Sequence, residues 1–99
     1  MKIITIQPST RKDKKLMATD GKRSIHFGQR GASDYTRNKD PERKQRYIDR
    51  HSGEDWSQSN AFSPAFMSRY VLWEEPSLEQ AVKALDRRLK GVKVVLKKT

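Results

Sequence analysis

His26 and His51 are the only histidines in a chain of 99 residues, and the stretch between them is crowded with polar side chains. Imidazole changes its charge near neutral pH, so it serves as a general base or a metal ligand. A metal site needs three or four ligands that converge in space. Asp34, Asp49, Glu54 and Asp55 are the nearby carboxylates, but no H-x-E or H-x-x-x-H spacing joins them to a histidine, and the chain has no cysteine. No metal or cofactor is therefore expected. His51, close to Glu54 and Asp55, has the chemistry of a general base, and basic charge would hold a nucleic-acid substrate. A histidine-dependent nuclease is thus the most sensible enzyme reading. It ranks as a second alternative, because no serine sits in a G-x-S-x-G elbow. The pair Gly28-Gln29-Arg30-Gly31 likewise lacks the G-K-[ST] of a P-loop. The chain is read as a non-enzyme.

The basic residues are more informative. Arg37, Lys39, Arg43, Lys44, Arg46 and Arg50 cluster before His51, and Arg87, Arg88, Lys97 and Lys98 lie near the C-terminus. These ten are the candidates for contact with a partner or with phosphate. Asp40, Glu42 and Asp49 interrupt the first cluster, and the spacing of Glu42 and Arg46 predicts an intrahelical ion pair. No helix-turn-helix, zinc-finger or aromatic RNA-binding signature accompanies the charge. Trp56, Phe62, Phe66, Tyr70 and Trp73 read as core rather than as a stacking platform. His26, Asp34, Tyr35, His51, Trp56 and Trp73 are expected to be structural anchors, with the histidines tied in through the Asp34–Thr36 loop.

Local signals name the elements that must hold these groups. Lys2–Gln7 alternates and is β-branched, Lys15–Thr19 is a second strand, and Asp20-Gly21 is a tight-turn signal leading to a third, Arg23–Gly28. The loop that follows ends at Asp40-Pro41-Glu42, which starts a helix running to His51, with Gly53 as its stop. Ser63-Pro64 starts a second helix. Ser77 and Gln80 form a capping box for a third, whose apolar residues Leu78, Ala81, Val82, Leu85 and Leu89 share one face, and Gly91 closes it. Val92–Lys98 is a final strand or extended tail. The predicted class is α+β: a small N-terminal antiparallel β-meander, three short helices and a C-terminal strand or tail.

At this length the chain is one domain, residues 1–99. It is 33% hydrophobic and 34% charged. A domain this small buries only roughly 60–65% of its unfolded surface, so its core is thin. Residues 1–14 and 91–99 are expected to be extended arms. No segment approaches the roughly 20 apolar residues of a membrane span, and the N-terminal apolar patch is too short for a secretory signal. The formal net charge is +10, with an acidic stretch over residues 52–82 between two basic ones. Such a surface attracts nucleic acid or acidic protein.

The combination of His26-Phe27-Gly28, G-x-S-D-Y-T at 31–36, K-D-x-x-R-K-x-R-Y-I-x-R-H at 39–51, Glu54-Asp55-Trp56, S-R-Y-x-L-W at 68–73 and Pro76-Ser77-Leu78 is distinctive. It resembles a family of short basic uncharacterised proteins of large double-stranded DNA viruses of algae and protists. The resemblance covers about Lys15 to Leu85, with both ends looking like additions to the shared part. It implies a viral accessory or structural protein, made in the cytoplasm or nucleus of a host cell and located in the virion. The leading expectation is a non-enzymatic minor capsid or cement protein in an oligomeric assembly. Its basic surface would dock onto acidic capsid proteins or packaged DNA. A sequence-nonspecific nucleic-acid-binding accessory protein is the alternative. The resemblance carries no catalytic residues.

Overall fold

The computed structural model describes residues 2–97. Four strands form one mixed sheet in the order β3-β2-β1-β4, from β1 (Lys2–Pro8), β2 (Lys14–Thr19), β3 (Ser24–Gln29) and β4 (Val92–Leu96). The first three make the expected antiparallel meander. The Asp20-Gly21 signal does close the β2–β3 hairpin: Gly21 has φ +93°, and the Asp20 carboxylate accepts the backbone N–H groups of Lys22 (2.9 Å) and Arg23 (2.8 Å). Those two bonds, helped by Lys2 at 3.2 Å, hold the Asp20 carboxyl well below the usual carboxylate range.

The two ends, expected to be extended arms, lie side by side. β4 pairs in parallel with β1, with Ile4 opposite Val94 and Ile6 opposite Leu96. Alternation then decides the buried face. Ile4, Ile6, Leu16, Ala18, Phe27 and Val94 all point to the same side, and all are buried. The Asp86 carboxylate accepts the Val94 N–H at 2.7 Å and ties the edge strand to the helical layer.

That layer comprises α1 (Tyr35–Asn38), α2 (Pro41–Arg50), α3 (Pro64–Met67) and α4 (Leu78–Arg88). The three expected helices are α2, α3 and α4. α1 is an extra turn inside the predicted loop, started by Asp34, whose side chain accepts the Thr36 N–H at 3.0 Å. α3 runs on into a π-helical turn, Ser68–Leu72, which buries Tyr70, Val71 and Leu72. α4 has its Ser77 cap, with Ser77 Oγ accepting the Gln80 N–H at 3.2 Å, and buries Ala81, Val82 and Leu85. Gly53 does not stop α2: His51 is its C-cap, and the left-handed glycines are Gly21, Gly28, Gly31 and Gly91. Gly91 (φ +72°) instead turns the chain from α4 into β4.

Helix α2 hangs on the segment after the π-helical turn. The Tyr47 ring stacks on Trp73 (centroids 4.6 Å, 7° between planes). Lys44 Nζ donates to the Glu74 carbonyl at 2.7 Å, and Lys39 Nζ donates to the Pro76 carbonyl at 2.9 Å. Glu74 also pairs with Arg69 at 2.7 Å.

Candidate functional site

Docking α2 this way leaves a cleft of about 1000 Å³ between the helix, the 28–34 loop and the π-helical turn. One wall is the exposed face of α2. Arg43, Arg46 and Arg50 line it and are exposed. Their spacing of three and four places them on one side of the helix, next to Tyr47. Among the described residues none of the three is ion-paired. The Glu42–Arg46 pair expected from spacing is not among these bridges. The i,i+4 contact on this helix joins Gln45 to Asp49, with Nε2 donating to the carboxylate at 3.0 Å.

The floor is aromatic and apolar. Trp73, Tyr47 and His51 form one continuous stack, with Tyr47 and His51 centroids 4.1 Å apart. Trp73 and Tyr47 are each 8% exposed, so their faces serve each other rather than a ligand. Burial pushes the Tyr47 phenol above its ordinary value, although its hydroxyl lies 3.3 Å from Ser68 Oγ.

Opposite the arginines sits the Lys15–Asp34 pair. Nζ and Oδ2 are 2.6 Å apart, and Asp34 is the buried charged residue of the molecule's described part. Asp34 also accepts from the Thr36 hydroxyl and backbone N–H. A buried carboxylate with a cation and two further donors is satisfied, which explains why it tolerates burial. Gly28 completes this wall. It has φ +78°, and a Cβ there would lie 2.6 Å from Leu72 Cδ1. Only glycine admits both the left-handed backbone and the close approach of Leu72.

The expected site residues therefore divide. Arg43, Arg46 and Arg50 converge on the cleft with Asp34, His51 and Trp73. Lys39 and Lys44 are spent on the fold, bonding the carbonyls of Pro76 and Glu74 as above, and Lys44 also lies 5.1 Å from the Tyr35 ring. Arg88 covers the Tyr70 ring at 4.3 Å. Arg87 is exposed on α4 and Lys97 is exposed just beyond β4, where its backbone N–H donates to Ile6 at 2.8 Å; neither lines the cleft. Lys98 lies outside the described residues. Arg37 lines a second, adjoining depression. Trp56 packs edge-on to Tyr70 (centroids 6.2 Å), away from the arginines.

Neither histidine is tied to the Asp34–Thr36 loop. His26 Nδ1 is 2.7 Å from Ser9 Oγ, joining β3 to the β1–β2 connection. His51 Nδ1 donates to the Tyr47 carbonyl of its own helix at 2.8 Å. No group of three or more histidine, cysteine or carboxylate side chains among the described residues is placed to hold a metal ion. Sequence reasoning missed Gln29, Arg30, Ser33 and Ser68, which border the two depressions. The Gly28–Gly31 bracket was the signal for the first two, since both glycines take left-handed backbone and turn the chain there.

A model of a family of unknown function (DUF5754) matches residues 4–51, just under half of the chain. The matched segment holds the three-stranded meander, α1 and α2, and with them every charged residue lining the cleft. It begins within β1, so the N-terminal strand belongs to the part that is similar. No curated protein and no solved structure matches this chain.

Proposed function

We propose that this is a non-enzymatic docking protein, a minor capsid or cement component of a viral particle, that fastens to an acidic partner by the cleft face of α2. The observation that carries the reading is the set Arg43, Arg46 and Arg50, exposed along one wall of a cleft and free of ion pairs among the described residues. Desolvating such charges is favourable only against an opposite charge, so they are held in reserve for a partner. The other basic residues of this helix region, Lys39 and Lys44, brace the fold that presents them. The viral setting rests on the sequence resemblance alone. No helix among the described residues is long and apolar enough to cross a membrane.

The experiment is incorporation. Purified particles carry the wild-type protein, detected by mass spectrometry. The folded charge-reversal variant Arg43→Glu/Arg46→Glu/Arg50→Glu falls at least tenfold in the same particles. Absence of the wild-type protein from particles, or undiminished incorporation of the variant, sinks the proposal.

A further inference from the structure

We infer that the cleft is a track for the sugar–phosphate backbone of a single-stranded nucleic acid. This rests on the docking reading and deepens it, by naming the acidic partner.

The first support is the layout of charge. Arg43, Arg46 and Arg50 extend over roughly 10 Å of helix axis at 1.5 Å per residue, so they make a line rather than a point. The adjoining depression, about 370 Å³, has Arg30 and Arg37 in its walls and shares Lys15, Asp34 and Leu72 with the first. Three arginines thus line the cleft and two more border the neighbouring depression across the Lys15–Asp34 pair, a spread of charge that suits a chain-like polyanion better than a small anion. The planar guanidinium fork fits phosphate oxygens bidentately and is weakly hydrated. Of the carboxylates in the same walls, Asp34 is neutralised by Lys15, and Asp49 keeps its charge while bonding Gln45, so the three arginines still outweigh it.

The second support is shape. Duplex DNA is read by a convex helix or ribbon that enters a groove. Here the arginine face of α2 is one wall of a concavity, and the 28–34 loop and π-helical turn stand opposite. A single strand is narrow and flexible at every nucleotide, and a positively charged groove that follows the backbone is one of the two devices of sequence-tolerant single-strand binders, the other being aromatic rings that stack on bases. An acidic protein would have to offer its carboxylates on a ridge slim enough to enter.

The third support is the set of neutral donors, with the rings limiting the contact to the backbone. Trp73 and Tyr47 are buried in their own stack, so base stacking contributes little. Gln29, Ser33 and Ser68 line the cleft and suit phosphate and sugar oxygens. π-helical turns such as Ser68–Leu72 recur at functional sites. Binding is therefore to the backbone and indifferent to sequence.

The test is fluorescence anisotropy on the full chain across a sodium chloride series. The probes are labelled oligo-dT, oligo-rU, a duplex of equal length and labelled poly-glutamate. Both single strands bind with comparable affinity and better than the duplex. Because each phosphate contact contributes about −0.7 to the salt slope on single strands, Arg43→Ala/Arg46→Ala/Arg50→Ala flattens the slope by about 2. A control of equal charge, Lys83→Ala/Arg87→Ala/Lys93→Ala, changes it by less than about 1 on the same scale. Circular dichroism confirms that both variants fold. Equal losses in the two variants would mean diffuse charge and no track. Preference for the duplex, or more than tenfold discrimination between dT and rU, also overturns the inference. If poly-glutamate binds and the oligonucleotides do not, the inference fails while the docking reading stands. If neither binds, both fail.

Discussion

At the scale of single residues, Asp34 does the most. It starts α1, receives the Thr36 hydroxyl and neutralises Lys15, all while almost fully buried. Removing one partner of such a pair strands the other charge away from water, which costs about 3–5 kcal/mol. Asp34→Ala is expected to lower the unfolding free energy by that amount in urea titration. The double change Lys15→Met/Asp34→Leu recovers most of the loss, because two apolar groups leave no orphaned charge; what it does not recover is the α1 cap, about 1 kcal/mol. A single-variant cost below about 1 kcal/mol would show that water reaches the pair.

At the scale of elements, α2 is held by the Tyr47–Trp73 stack, the Tyr47 hydroxyl on Ser68 and Lys44 on Glu74, with Lys39 bonding the Pro76 carbonyl just before the helix begins. Its own apolar content is slight, with Tyr47 buried and Ile48 half-buried. It therefore depends on Trp73, which lies in a different part of the chain. Trp73→Ala removes the partner of Tyr47 and costs about 3–5 kcal/mol, the usual range for deleting a buried aromatic. The loss is local in its first consequence: amide exchange over residues 41–51 accelerates more than exchange in β1 and β2. Uniform acceleration across the sheet would mean that α2 and the sheet unfold as one unit. Because the same stack sets the depth of the cleft floor, the positions of Arg43, Arg46 and Arg50 follow from it.

At the scale of the whole molecule, the parallel pairing of β1 with β4 closes the chain on itself. The Cα radius of gyration is 12.6 Å, the value expected of a compact chain of this length rather than one trailing arms. Deleting residues 92–99 removes Val94 from the core and leaves β1 as an unprotected edge. A thermal melt of that truncated chain is expected to fall by more than about 10 °C, since each kcal/mol shifts a domain of this size by roughly 4–8 °C. An unchanged melting temperature would show that β4 is dispensable to the fold.

The sequence by itself determined the parts that depend on near neighbours. The alternation of Ile4 and Ile6 set their strand's inner face, Asp20-Gly21 set the hairpin, and Asp40-Pro41 and Ser77 set where α2 and α4 begin, because each device acts within a few residues. It also marked Arg43, Arg46 and Arg50, since helical spacing alone puts them on one side. Only the tertiary structure decided which charges remain available. Lys39 and Lys44 look like these arginines in sequence, yet the carbonyls that claim them belong to Pro76 and Glu74, 37 and 30 residues away in the chain. Long-range pairing with β1 also decided that the expected C-terminal strand or tail is an edge strand with Val94 in the core, and a long-range contact set Tyr47 on Trp73. Ion pairing, burial and concavity depend on distance in space, and a local reading of the chain does not carry that distance.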